Sequence, residues 1–247
     1  MEPGPGTVQS VDRSLDLLEA LVSADRPLGI AELVGHTGLP QGTVHRLLQA
    51  LQLRGYVRRT PARKYALGTG ALRLADAAQR ALVRTARPVL TELVRISGET
   101  ANLAVLEGDD VVYVAQVSSP HTLRMFAEVG RHVPPHSTAV GKVLLAAMPA
   151  ARAAEVVRRA GLTPRTPTTI TEPEALVAEL DRVRSQGYAV EEQEHESGVR
   201  CVAVPVGPPD RVVAAVSVSG PADRFAGAAS DGLVEAMRAA GEELGAG

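Results

Sequence analysis

Apolar residues recur with a helical period from the start of the chain. Val11, Leu15, Leu18 and Val22 follow one another at intervals of four, three and four, and Leu17 and Leu21 widen the stripe. This predicts a first helix with Ser10 as its N-cap, ended by Asp25-Arg26-Pro27. Ile30, Leu33 and Val34 predict a short second helix that stops at Thr37-Gly38. Pro40 stands at the first position of a third helix, which runs to Arg54 and halts at Gly55. Two helices separated by about four residues have the spacing of a helix-turn-helix. The period then changes. Tyr56–Arg59 and Lys64–Leu67 predict two short strands around Thr60-Pro61-Ala62-Arg63, a small hairpin with a basic tip.

Residues 71–97 are rich in Ala and Leu. Pro88 interrupts them, which predicts two helices, the first joining two domains. Thr100–Leu106 and Val111–Val117 alternate around Gly108-Asp109-Asp110 as a hairpin. Leu123–Ala127 predicts a further strand, and Thr138–Met148 and Glu174–Ser185 predict helices. Arg200–Val206 and Arg211–Val218 form a second hairpin around Gly207-Pro208-Pro209-Asp210, and Ala229–Leu244 closes the chain as a helix. Hairpins with helices between them predict an α+β fold with an antiparallel sheet. The expected organisation is a disordered tail at residues 1–9, a winged helix-turn-helix at 10–70, a linker helix at 71–82 and an effector-binding, oligomerising domain at 83–247.

Hydrophobic residues make up 45% of the 247, enough for a real core, but aromatics are only 2% and Trp is absent. The core must be aliphatic, and a site of stacked rings is not expected. Charge is uneven: residues 1–75 carry a net +3 and the remainder −5. A basic front on an acidic body suits a front end that meets a polyanion. The single cysteine, Cys201, leaves no disulfide to form within the chain, which fits a reducing cytoplasm. The first residues lack the basic and apolar regions of a signal peptide, and no apolar run reaches the ~18 residues of a membrane span. No phosphate-binding loop, dinucleotide fingerprint, nucleophile elbow or zinc-protease motif occurs, so neither enzyme activity nor a cofactor is expected.

On a helical wheel, Val44, Leu47, Leu48 and Leu51 share the face of the third helix that packs inward. The opposite face carries Gly42, Arg46 and Gln49, flanked by Gln41, Thr43 and His45. Arginine pairs bidentately with guanine, and glutamine with adenine, in the major groove. Thr43 is placed to reach a phosphate or a thymine methyl, and Gly42 lets the helix N-terminus approach a phosphate. The hairpin carries Arg58, Arg59, Arg63 and Lys64, which suit the DNA backbone or minor groove. The partner expected for this face is a double-stranded DNA operator.

These segments resemble the IclR family of transcription regulators. Ser10-Val11-Asp12-Arg13-Ser14-Leu15-Asp16-Leu17-Leu18 is similar to the family's opening helix, and Thr37-Gly38-Leu39-Pro40 with Thr43-Val44-His45-Arg46-Leu47-Leu48 to its recognition segment. Gly55-Tyr56-Val57 resembles the start of its wing. His136-Ser137-Thr138-Ala139-Val140-Gly141-Lys142, Gly187–Glu192, Gly198–Ala203 and Ser217–Pro221 resemble its C-terminal signatures. The resemblance covers about residues 10–225 and implies a GAF/profilin-like effector domain with flanking helices. It also implies homodimers, often paired into tetramers, on palindromic operators, with repression the common outcome. Gln41-Gly42 replaces a basic residue and a serine that members often carry, which removes one charge and one hydroxyl from the helix start.

The residues themselves suggest a sensing pocket. A helix that begins near Ser137 or Thr138 offers N–H groups at Ala139 and Val140 to an anion. Ser217 and Ser219 lie two apart on one strand face, and Cys201 begins a neighbouring strand. The resemblance implies small organic acids, such as 2-oxo or hydroxy acids, bound by Ala139, Val140, Glu191, Cys201, Ser217 and Ser219, with Met125 and Val133 as apolar wall. Two alternatives stand beside it. One is a metal sensor using His132 and His136, though Pro134-Pro135 prevents their presentation on one helical turn. The other is an enzyme using Cys201 as nucleophile with His195 or His136 as base.

Overall fold

A computed structural model of the chain describes residues 8–24, 26–124, 129–225 and 231–246. The chain divides into two compact units, residues 1–80 and 81–247. The first holds three helices, α1 (Gln9–Ala24), α2 (Ile30–Thr37) and α3 (Gln41–Leu53), and a hairpin of β1 (Val57–Arg59) and β2 (Tyr65–Leu67). Leu28 adds a bridge to Tyr65 at the hairpin's edge. Leu17 and Leu21 of α1, Leu33 of α2, Val44 and Leu48 of α3, and Val57 and Tyr65 of the hairpin make one buried core. On α1 it is Leu17 and Leu21 that face this interior, while Val11, Leu15 and Val22 of the predicted stripe are exposed. Two ends differ from expectation. Ser10 lies inside α1 rather than capping it, and Pro40 is the residue before α3, extended at ψ 139, with its carbonyl accepting from Thr43 and Val44.

The helix α4 (Gly70–Ser97) is continuous, which corrects the expectation of two helices broken at Pro88. Pro88 and Arg84, whose carbonyl loses its donor, are both exposed, while Ala86, Val89, Leu90 and Leu93 pack inward. A carbonyl on the exposed side is open to solvent, so proline is tolerated there.

The second unit is built on a six-stranded antiparallel sheet ordered β5-β4-β3-β8-β7-β6. Its strands are β3 (Thr100–Glu107), β4 (Asp110–Val117), β5 (His132–Val133), β6 (Ala189–Glu192), β7 (Val199–Val206) and β8 (Ala214–Pro221). One face packs on α4 and the C-terminal α8 (Asp231–Ala246), with Leu103, Val204, Val216 and Met237 fully buried. The other face carries α5 (Ala139–Ala146), α6 (Ala150–Ala160) and α7 (Pro173–Gln186), with Leu145, Leu176 and Val156 at its centre. The fold is thus α+β, with an N-terminal helix-turn-helix and a C-terminal antiparallel sheet flanked by helices.

Some predicted boundaries need correction. The strand predicted from Arg211 begins at Ala214, after a turn in which Arg211 N–H donates to the Pro208 carbonyl. Leu123 and Arg124 are not in a strand, and the rest of the predicted segment Leu123–Ala127 lies outside the described residues. The helix predicted as Thr138–Met148 is shorter and follows a 3-10 turn at Pro135–Ser137. Helix α6 and the edge strands β5 and β6 were not anticipated. No described helix is long and apolar enough to cross a membrane.

Candidate functional site

In the first unit, the residues singled out on the third helix share its outer side. Gln41, Gly42, His45, Arg46 and Gln49 are exposed and Thr43 is half-buried, while Val44 and Leu48 are sealed beneath. A side chain at Gly42 would meet nothing within 4 Å, so the start of α3 is open to an approaching group. His45, Gln49, Gln52 and Leu53 of α3 form a groove with Arg59 and Tyr65 of the hairpin. The Arg59 guanidinium lies over the Tyr65 ring, 5.9 Å from its centroid, which holds a positive charge beside the outer face of α3.

The hairpin tip is anchored differently. Lys64 Nζ lies 3.5 Å from Glu32 at the start of α2, and Arg26 reaches the same carboxylate at 2.7 Å. Glu32 also accepts the Gly29 N–H at 2.8 Å. That bond first, and Arg26 second, pull its carboxyl down to about 2. Lys64 is therefore partly engaged in a surface ion pair with Glu32, whereas Arg58 and Arg63 are exposed.

Arg63 holds a left-handed backbone, φ 61, to turn the chain. Replacing it by glycine is expected to stabilise this unit by about 0.5–1 kcal/mol, the left-handed penalty less glycine's extra chain entropy. The same change should weaken DNA binding and reduce its salt slope by about one phosphate. Denaturant melts and operator titrations at several salt concentrations measure both.

In the second unit, the face of the sheet under α5 carries a polar row. Asn102 of β3 donates to Ser217 at 3.3 Å and to Ser219 at 3.4 Å, both on β8, and accepts from Gln116 of β4 at 3.0 Å. Cys201 of β7 donates to Ser219 at 3.0 Å. The register explains the row: Asn102 faces Ser217, Cys201 faces Ser219, and Glu191 of β6 faces Cys201. Above it, Thr138 caps α5 by accepting the Gly141 N–H at 3.2 Å. A narrow cavity between sheet and helix is lined by Tyr113, Thr138, Ala139, Val140, Glu191, His195, Glu196, Val199, Cys201 and Ser217.

Of the eight expected effector residues, the cavity thus gathers Ala139, Val140, Glu191, Cys201 and Ser217. Ser219 lies one step along the row, and Val133 is buried in the core on this side of the sheet. Met125 lies outside the described residues. Tyr113 and His195 escaped sequence reasoning. Tyr113 reads as one more apolar residue of its strand, although a phenol on the face shared with Ser217 was a usable signal. His195 sits in a loop without periodicity. Its Nδ1 lies 3.1 Å from Ser137 Oγ.

The loop that follows β6 is pinned from several sides. Thr169 donates to the Glu194 carbonyl at 2.6 Å, and Thr166 to that of Gln193 at 2.7 Å. Lys142 of α5, 1% exposed, bonds Glu194 at 2.6 Å, the Val190 carbonyl at 2.9 Å and Glu179 of α7 at 3.1 Å. A buried ammonium is tolerated only when its donors are filled, as here.

The alternatives fare differently from the pocket. Burial pushes the Cys201 thiol up, so the nucleophilic thiolate is disfavoured. His136 is buried with Nε2 3.1 Å from the Thr163 carbonyl, while His132 is exposed, 3.7 Å from Asp110. Among the described residues, no group of three His, Cys, Asp or Glu side chains is placed to hold a metal ion.

Comparison with known proteins agrees with this geometry. Residues 10–61 match the IclR helix-turn-helix domain, and residues 75–246 match the C-terminal domain of bacterial IclR transcriptional regulators. The chain is 38% identical to the HTH-type transcriptional regulator KdgR of Escherichia coli K12, over 91% of this chain and 87% of that protein. It is 35% identical to the transcriptional repressor IclR of the same organism, over 90% and 84%. A solved IclR homolog of Microbacterium hydrocarbonoxydans, complexed with 4-hydroxybenzoate, is 27% identical with a TM-score of 0.62, covering 96% of this chain and 98% of that one. A DNA-binding helix-turn-helix and a C-terminal ligand-binding domain, on one chain with such relatives, make this protein a transcription regulator that belongs to the IclR family.

Proposed function

We propose that the protein is a repressor that binds a palindromic operator as a homodimer, or a pair of dimers, and is controlled by a small organic acid. The observation that carries the DNA reading is the outward face of α3. Arg46 and Gln49 are exposed on one side of a helix whose opposite side is core, with Arg59 fixed beside them. In this reading Arg46 and Gln49 read base edges, and Gln41, Gly42, Thr43 and His45 approach the backbone at the helix start. Arg58, Arg59, Arg63 and Lys64 add wing contacts.

The dimer is supported by a second stripe on α1. Val11, Leu15 and Val22, with Val8 just before the helix, are all exposed, away from the buried Leu17 and Leu21. Such a seam is what a paired helix covers. We assign the effector to the cavity of the second unit, whose free volume of about 10 Å³ has to widen to admit it. Its carboxylate meets the N–H groups of Ala139 and Val140, and the rest of the molecule lies along Ser217 and Cys201. The 4-hydroxybenzoate complex of the Microbacterium homolog supports an acid as the ligand class.

Footprinting on the DNA upstream of its own gene, with and without candidate acids, tests the reading. Arg46→Ala is expected to weaken specific operator binding by about 1–3 kcal/mol while leaving non-specific binding nearly unchanged. For the wild type, log K should fall with log salt at roughly −0.9 per phosphate contacted. Operator affinity unaffected by Arg46→Ala would place the reading face elsewhere.

A further inference from the structure

The effector cavity contains a carboxylate that no cation among the described residues balances. Glu191 is 1% exposed. Its bound partners are neutral: the N–H groups of Glu194 at 2.5 Å and His195 at 3.1 Å donate to one carboxylate oxygen. Around it stand Tyr113 from β4, Cys201 from β7, and Glu194, His195 and Glu196 from the loop. The buried cation of this region, Lys142 from α5, is already shared between Glu194 and Glu179 of α7. Arg131 and Arg165 are exposed and do not line the cavity, although their fields reach His195. Burial, with those two arginines, lowers His195 to about 4, so its imidazole is neutral near neutrality. Burial also lifts Glu191 to about 7, against the pull of its backbone donors.

An anion entering this space meets a second negative charge a few ångströms away in a medium that screens poorly. Resting on the effector reading above, we propose that the pocket takes up a monocarboxylate together with one proton, which is held on Glu191, and that it rejects dicarboxylates of similar size. The proton comes from solvent. Once protonated, Glu191 is neutral and donates a hydrogen bond into the cavity. A dicarboxylate brings a further charge with no partner, and burying an unpaired charge is costly.

Isothermal calorimetry on the full-length protein tests this, with pyruvate, lactate and 4-hydroxybenzoate as monocarboxylate probes and malonate as the dicarboxylate. Measurements in phosphate and in Tris separate proton uptake from binding heat, because the two buffers ionise with different enthalpies. At about pH 8 the expected uptake is about one proton per bound monocarboxylate, with Kd rising up to tenfold per pH unit above this and flat below about pH 6. Malonate should bind at least tenfold more weakly. Glu191→Gln should bind with no uptake and with pH-independent affinity, whereas Glu194→Gln should retain the uptake. Carbon-13 titration of the wild-type carboxyl groups should show a glutamate titrating near neutrality, a readout that survives if a variant fails to fold.

Monocarboxylate binding without uptake, uptake that persists in Glu191→Gln, or no glutamate titrating near neutrality overturns the proposal and leaves the effector reading standing. Failure of every probe to bind wild type and Glu191→Gln alike, even at about pH 6, overturns both.

Discussion

Lys142→Met is expected to destabilise the C-terminal unit by about 3–5 kcal/mol, the usual cost of removing one partner from a buried ion pair. The lysine is 1% exposed and fills three acceptors on three separate elements. Methionine matches the length of its stem, so little packing is lost. What remains is Glu194, buried and already without a partner for Oε2, now deprived of its cation as well. Differential scanning calorimetry of the full chain should show the transition of this unit falling by roughly 6–20 °C. Adding Glu194→Gln to Lys142→Met should recover a substantial part of that loss, because it removes the stranded charge. A fall of less than about 1 kcal/mol in the single variant would mean that water reaches Glu194. Ligand response should drop with stability here, since Lys142 positions the loop whose N–H groups hold Glu191.

Gly141→Ala is the second large effect, and it arises from contact rather than charge. A methyl group at Gly141 would lie 2.2 Å from the Pro135 carbonyl oxygen and 2.4 Å from Pro135 Cα, both backbone atoms. The 3-10 turn Pro135–Ser137 rests directly on α5, and only a residue without a side chain permits that approach. Accommodating alanine requires the turn to lift, which disturbs the Thr138 cap on the Gly141 N–H and the Ser137 contact to His195. The expected cost is about 3 kcal/mol or more. Urea denaturation measures it, with effector titration as the second readout. Alanine tolerated within about 0.5 kcal/mol would show that the turn moves freely on α5.

Where one rule governs, the sequence is readable. The Leu17-Leu21 and Val44-Leu48 pairs repeat with the helical period and meet in one core, so the helix-turn-helix was legible, although Val11, Leu15 and Val22 of the same period are exposed. The two strand pairs around Gly108 and Gly207 announced themselves by alternation. Pro88 misled because the penalty for proline depends on whether the freed carbonyl is wet, and exposure is a tertiary property. Helix α6 was missed because Ala150–Ala160 carries few large apolar residues, and β6 because four residues are too few to establish a period. The cavity was half legible. Ser217, Ser219 and Cys201 stood out as polar or reactive groups in apolar strands. Asn102, Tyr113 and His195 join them only through strand register and a loop crossing, and Lys142 looks like a surface residue until α7 and the 193–198 loop close over it.

The row from Gln116 through Asn102 to Ser217, Ser219 and Cys201 satisfies itself before any guest arrives. Under the proposed function, an incoming acid would exchange existing hydrogen bonds for new ones and keep only the difference. Polar contacts on the sheet therefore govern which shape is accepted more than how tightly it is held. Under the proposed function, a guest held mainly by fit would leave the pocket again as its concentration falls.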